Sequence, residues 1–149
     1  MGSLLINAKK RLHEQGGRMT HQRKVILEAL EELDCHPTAE ELFEKVNHVD
    51  PNLNLSTVYR TLRWMEAEGL IIARRFNDDH RQDRFDPAIP TEHHHFLCSI
   101  CKKVIEFDDP LISDIKQRFQ ESTDCLVKSS SVVLYGRCES CQNKHDNTD

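Results

Sequence analysis

The 149-residue sequence has no apolar run near the roughly 18 residues that cross a bilayer. Leu4-Leu5-Ile6 near the N-terminus is too short for the core of a secretion signal. Met1-Gly2 opens like an acylation site, but Ile6 stands where Ser or Thr is needed. There is no surplus of positive charge, since the net charge is −5. There is no internal repeat, and no nucleophile and base stand out as a catalytic pair. These absences lead us to expect a cytoplasmic chain with reduced thiols, no membrane partner, no small-molecule substrate and no enzymatic activity. What is present suits a folded protein: 38% apolar and 30% charged residues. The length fits one medium domain or two small ones.

The negative charge is unevenly spread. Residues 1–85 hold 13 basic against 14 acidic side chains, and residues 86–149 hold 7 against 11. In the first part the basic residues cluster as Lys9-Lys10-Arg11, Arg23-Lys24, Arg60 with Arg63, and Arg74-Arg75. Such a face binds phosphate even on a chain of negative total charge, although an ordinary solvated surface has the same composition.

Periodicity predicts a helix over residues 4–15, stopped by Gly16-Gly17. Thr20 caps a second helix, with Ile26, Leu30 and Leu33 on its buried face. Thr38 and Glu41 form a capping box for a third, whose stripe is Leu42, Phe43 and Val46. Ser56 is expected to cap a fourth, running to about Gly69, with Val58, Leu62 and Met65 inward. Thr57, Tyr59, Arg60 and Arg63 lie largely off that face. Residues 70–76 and 81–85, separated by a polar turn that includes His80, read as a β-hairpin. Helices followed by a hairpin make a winged helix-turn-helix, whose second helix enters the DNA major groove. Pro87 and Pro90 bracket a candidate hinge. Beyond it we expect strands at 93–100 and 103–107, a helix at 110–121, a strand at 126–135 and a frayed polar tail from Asn143. The fold class is therefore α+β: a winged-helix domain over residues 1–85 and a small α/β domain over 86–149.

Cys98-Ser-Ile-Cys101 and Cys138-Glu-Ser-Cys141 are two C-x-x-C pairs, 36 residues apart. Each pair turns two thiolates onto one ion, and together they make the tetrahedral sulfur shell that Zn(II) prefers. Four thiolates leave no open position, so the zinc is structural. The gap exceeds that of a compact zinc ribbon, so the pairs are expected to tie the first and last strands of one domain. Two disulfides or a redox motif are the alternatives, and both fit a cytosolic chain of this pattern poorly. Cys35 and Cys125 have no such partner and read as small buried or half-exposed residues.

A softer donor set accompanies the first pair. In a strand, His93 and His95 share a face and His94 takes the other. Glu106 stands on the next strand, Asp86 at the hinge and His36 before the third helix. Three imidazoles and two carboxylates suit Fe(II), Mn(II) or Zn(II). An ion bound to both His36 and the 93–95 segment would span the hinge and bias the angle between domains. A solvated histidine cluster and a helix-start histidine remain open readings. A zinc enzyme using His93, His95 and Glu106 is also conceivable, but it leaves the winged helix unexplained. A zinc module that binds DNA or protein without sensing leaves the histidine set unexplained.

The ordered motifs resemble the ferric uptake regulator family. They are Arg18-Met-Thr-His-Gln-Arg23, His36-Pro-Thr-Ala-Glu-Glu-Leu42, Ser56-Thr-Val-Tyr-Arg-Thr-Leu62, Arg84-Phe85-Asp86, His93-His-His-Phe-Leu-Cys98, Val104-Ile-Glu-Phe107 and Leu134-Tyr-Gly-Arg-Cys138. The resemblance covers nearly the whole chain. It implies a homodimeric repressor of double-stranded operator DNA, with the second domain as the dimerisation domain. It implies structural zinc on Cys98, Cys101, Cys138 and Cys141, and a regulatory metal on His36, Asp86, His93, His95 and Glu106. It places Tyr59 and Arg60 at the DNA and Arg18 near a minor groove. Two departures stand out. Where members with a third metal site carry a further Glu and His, this chain has Ser113-Asp114 and Ser130, with Glu92 and His94 as remnants. Lys102 stands where the family usually has Gly. Zinc sensors of the family add a Cys that the stretch from Asn77 to Glu92 lacks. Peroxide sensors favour Asp where this chain has Glu106. The expected activator is thus Fe(II) or Mn(II), and a repressor that senses peroxide by histidine oxidation is the alternative.

Overall fold

The computed structural model describes residues 3–33, 36–77, 82–87 and 92–143. Cys35, His80, the turn between the hairpin strands, Pro90 and the tail after Asn143 lie outside the described residues. The chain divides into two compact units, Met1–Ala88 and Ile89–Asp149.

The first unit packs four helices and a hairpin: α1 (Ser3–Glu14), α2 (His21–Glu32), α3 (Ala39–Asn47), α4 (Leu55–Ala67), β1 (Ile71–Arg75) and β2 (Asp83–Pro87). Each helix boundary has a chemical cause. The N-terminal amides of α1 are met from another helix, where Glu31 Oε1 accepts from the backbone of Leu4 at 2.6 Å. Gly16 closes the helix end at φ 68, a conformation open to glycine at no steric cost. Thr20 caps α2, and Thr38 with Glu41 forms the full capping box of α3. The cap of α4 is Asn54, whose side chain accepts from the backbone of Thr57, and not Ser56. A side chain at position 54 reaches the amide three residues on, whereas Ser56 already sits in the first turn.

The apolar stripes meet in one core. Leu5, Ile26, Leu30, Leu42, Val58, Leu62, Met65, Ile71 and Phe85 are all at most 2% exposed. Each such side chain contributes about 1.5–3 kcal/mol on burial. β1 and β2 pair antiparallel with Ile72 opposite Asp86 and Arg74 opposite Arg84. The hairpin has an extension: Thr38 bridges Arg84, and Phe85 N donates to Pro37 O at 2.9 Å. The segment entering α3 is therefore pinned to β2.

The second unit holds β3 (His94–Cys98), β4 (Val104–Phe107), α5 (Pro110–Thr123), β5 (Val133–Gly136) and α6 (Glu139–Gln142). The sheet order is β4-β3-β5, antiparallel on one side and parallel on the other. β3 and β5 are shorter than the sequence periodicity suggests. Parallel pairing runs from His95 opposite Val133 to Cys98 opposite Gly136. Upstream, Ser130 bonds to the Glu92 carboxylate through both its amide and its hydroxyl, instead of to a neighbouring strand. Among the described residues of this unit, the buried apolar side chains are Leu97, Val104 and three cysteines. That is a small core for some fifty residues.

Candidate metal centres and nucleic-acid interface

β3 delivers Cys98 at its last position, and the parallel register sets it against the end of β5, two residues before Cys138. Gly136 lies close under the Phe96 ring: a Cβ there would be 3.2 Å from Cε2, so a larger residue requires the ring to shift. The Cys101 and Cys138 sulfurs are 3.6 Å apart, and the backbone amide of Cys138 donates to Cys98 Sγ at 3.4 Å. All four sulfurs lie within 4.8 Å of one another. A zinc–sulfur distance of about 2.3 Å in a tetrahedron requires sulfurs about 3.8 Å apart; the four cysteines fit that shell and are too far apart for disulfides. Backbone amides of Cys138, Cys101 and Ile100 stabilise the Cys98 thiolate and lower its pKa to about 6, against an opposing cost of burial. Burial, then hydrogen bonds with the crowded neighbouring sulfurs, push Cys141 up to about 12. A dication placed among the four sulfurs would favour the thiolate form of each. Cys125 is exposed and lies outside this cluster.

Lys102 ends the first knuckle at φ 62, with its amide donating to Cys98 O at 3.0 Å. The tight turn demands a left-handed residue, and this chain meets it with a lysine.

The second unit also presents His93, His95 and Glu106 together. His95 sits opposite Glu106 in the β3–β4 register, and His93 Nε2 lies 4.0 Å from Glu106 Oε1. The His93 and His95 rings meet edge to face at 4.9 Å. His95 is fully buried. His94 follows the predicted alternation: its Nδ1 accepts from Val132 N at 3.3 Å, and its ring lies beside Phe107.

The first unit holds the other two donors. His36 Nε2 lies 3.5 Å from Asp86 Oδ2, and both side chains are buried. Two arginines outside the expected ligand set organise this pair. Arg74 Nε donates to the same Asp86 oxygen at 3.0 Å, and Arg84 Nη1 donates to the His36 carbonyl at 2.9 Å. Arg74 had read as part of a basic cluster. The available signal was register: Arg74 is two residues from the position opposite Asp86, a diagonal that a long side chain spans.

On α4, Tyr59, Arg60 and Arg63 are exposed and Thr57 is half-buried, while Val58, Thr61, Leu62 and Met65 are buried. Arg18 is exposed and its carbonyl accepts from Arg23 Nη1 at 3.3 Å. Arg23 lies over the Trp64 ring at 5.0 Å. A cleft lined by Thr20, Gln22, Arg23, Thr57, Arg60 and Thr61 joins the start of α2 to α4. It offers hydroxyls and guanidinium groups, the donors that position a phosphate backbone. A hydrogen bond to Glu40 raises the pKa of the Tyr59 phenol above its ordinary value, with burial adding to the shift.

Residues 14–135 match the model of the ferric uptake regulator family. The chain belongs to the ferric uptake regulator family. Its members are transcriptional regulators and not enzymes. The chain is 32% identical to the peroxide operon regulator of Bacillus subtilis over 142 residues, covering 95% of this chain and 96% of that one. Among solved structures it is similar to the Helicobacter pylori ferric uptake regulator, with three functional metal-binding sites, at TM-score 0.83 and 26% identity, covering 94% and 92%. It is also similar to a zinc-bound manganese uptake regulator at TM-score 0.78 and 32% identity, covering 92% and 99%. The α+β fold is that of these regulators, and the family pairs structural zinc with regulatory iron or manganese.

Proposed function

We propose that this chain is a cytoplasmic, homodimeric repressor whose grip on operator DNA is tightened by Fe(II) or Mn(II). The regulatory ligands are His36, Asp86, His93, His95 and Glu106. Zn(II) on Cys98, Cys101, Cys138 and Cys141 is structural. The observation that carries the reading is the pair of half-sites: a His36–Asp86 pair at 3.5 Å and a His93–His95–Glu106 group. Each is an N/O donor set of the kind that suits Fe(II), Mn(II) or Zn(II), and their nearest members flank the segment from 87 to 92. A dication shared by both halves restrains that segment. It favours the DNA-competent arrangement by the difference in its affinity for the two states.

Dimerisation is supported by α5. It has no buried residue, yet Leu111, Ile115 and Phe119 recur every four residues at 64%, 65% and 50% exposure. Ile105, Leu134 and Tyr135 are further exposed apolar side chains of the same unit. A second copy of the chain covering this face supplies the core that the unit lacks. DNA contact is assigned to Tyr59, Arg60, Thr57 and Arg63 on α4, with Arg18 beside them in a minor groove.

Fluorescence anisotropy with a fragment of the gene's own promoter tests this reading. The protein keeps its zinc, is stripped of looser metal and is titrated with Mn(II). Affinity is expected to rise with metal, and His93→Ala to abolish the rise while zinc content stays at one per chain. Equal affinity with and without metal overturns it.

A peroxide-sensing repressor is the second reading, favoured by 32% identity to the Bacillus subtilis peroxide regulator over nearly the whole chain. Mass spectrometry of the Fe(II) form after peroxide decides it. One added oxygen on His36 or His93 supports it, and intact histidines at doses that release DNA reject it.

A further inference from the structure

The exposed groups of α4 carry a pattern that DNA contact alone does not account for. Tyr59 Oη donates to Glu40 Oε1 of α3 at 2.7 Å. Arg63 donates from Nη1 to Glu66 Oε2 at 2.9 Å and from Nη2 to Asp83 Oδ2 at 3.2 Å. The other oxygen of Asp83 accepts from Arg75 Nε at 3.0 Å. Carboxylates from α3, α4 and β2 thus engage the groups that would meet a duplex. Arg60 has a neutral partner, Thr57 Oγ1, at 3.3 Å.

Exposed ion pairs of this kind contribute little to fold stability. Their placement matters for a competitor, the DNA phosphate. To take Arg63 or Tyr59, a phosphate must displace a carboxylate and then sit beside it. Unrelated duplex offers phosphate alone in return. An operator adds base-edge contacts, which compensate for the displacement.

Resting on the reading of α4 as the DNA-contacting helix, we infer that Glu40 and Asp83 are specificity-determining residues, which withhold Tyr59 and Arg63 from phosphate and suppress binding to DNA that offers nothing else. The near-zero charge balance of residues 1–85 agrees with this: they carry 14 acidic side chains against 13 basic ones. Arg63 and Arg75 are partnered charge, available where DNA competes for them.

The test titrates the full chain, with its zinc and with Mn(II), against two labelled duplexes of equal length across a range of salt. One is the promoter fragment and the other a scrambled sequence. Asp83→Asn is expected to raise affinity for the scrambled duplex about eightfold at ~0.1 M salt and to steepen the log–log salt slope by about 0.9, the mark of one further phosphate neutralised. The promoter fragment gains less, so the preference between duplexes narrows. Glu40→Gln removes the charge while keeping an acceptor for Tyr59, and is expected to give a gain of about threefold. Glu121→Gln on α5 makes the same change in net charge and is expected to leave both affinities alone. Combining Arg63→Ala with Asp83→Asn is expected to remove most of the gain, since Arg63 is a freed group.

Unchanged affinity and slope with Asp83→Asn overturns the inference, as does an equal gain from Glu121→Gln or a gain that survives Arg63→Ala. Zinc content and melting temperature report whether each variant folds; should Asp83→Asn not fold, Glu40→Gln decides. Wild type and Arg60→Ala binding both duplexes alike is a different failure. It removes α4 as the DNA-contacting helix, and the inference falls with it.

Discussion

Arg84 reaches back 48 residues to donate from Nη1 to the carbonyl of His36 at 2.9 Å. The same nitrogen lies 3.4 Å from Glu41 Oε2, the carboxylate of the α3 capping box. One buried guanidinium thus ties β2, the α3 cap and a proposed metal ligand into one unit. Asp86, two residues along β2, keeps its distance to His36 because both ends are anchored.

Arg84→Ala is therefore expected to cost about 1.5–3 kcal/mol, the range for hydrogen bonds to a charged group, because the His36 carbonyl loses its donor inside the fold. Urea unfolding followed by Trp64 fluorescence measures it, Trp64 being the sole tryptophan. Mn(II) affinity is expected to fall as well. Arg84→Lys restores charge but not the planar fork, so it rescues only part of either loss. A variant with unchanged stability and Mn(II) affinity removes Arg84 from the positioning role.

Cys138→Ser is expected to reduce zinc from one per chain to none and to unfold the second unit, because zinc stands in for a core that, among the described residues, is otherwise Leu97, Val104 and the cysteines themselves. Elemental analysis reads the zinc and limited proteolysis reads the unfolding. Sedimentation is expected to show loss of the dimer at the same time. A protease-resistant, zinc-free dimer contradicts the structural role.

Lys102 holds φ 62. A left-handed residue with a Cβ costs roughly 1–2 kcal/mol, and glycine returns part of that gain through the greater freedom of the unfolded chain, about 0.4–1 kcal/mol. Lys102→Gly is thus expected to stabilise the zinc-loaded protein by a net ~0.5–1 kcal/mol. Thermal melts of the two proteins at matched zinc content show the shift. A lower melting temperature in the variant means that the lysine side chain contributes something that its backbone strain conceals.

Glu92 is held at about 2, well below its ordinary 4.5, first by the Lys116 ammonium and then by the amide and hydroxyl of Ser130. The folded chain binds this proton less readily than the unfolded chain does. The link therefore stabilises the fold above pH ~4.5 and is lost as pH falls towards 2. Melting wild type and Glu92→Gln side by side is expected to show a gap at neutral pH that closes below pH ~4.5. A gap independent of pH rejects the carboxylate as its origin.

Much of this architecture was legible in the sequence because its causes are local. Thr20, Thr38 and Glu41 announce their helix starts within four residues, and Gly16 stops α1 by its own backbone freedom. The two C-x-x-C pairs state their chemistry by spacing, and the alternation of His93, His94 and His95 follows from the period of a strand. The cap of α4 lies two residues before the expected Ser56, because Asn54 and Ser56 are both good caps and which one meets an amide depends on where the turn begins.

What the sequence determined by itself was the inventory: donor types, helix faces, and the two metal chemistries. The tertiary structure decided the pairings between distant segments. Parallel registration of β3 with β5 closes the sulfur shell across 36 residues. Antiparallel registration of β1 with β2 turns Arg74 from a basic surface residue into the partner of Asp86, and sends Arg84 to His36. Glu40 and Asp83 meet Tyr59 and Arg63 only because α3, α4 and the hairpin converge on one surface. Local spacing encodes which atoms are available, whereas register, set by burial of Phe85, Ile71 and Leu97 across whole strands, selects which of them meet.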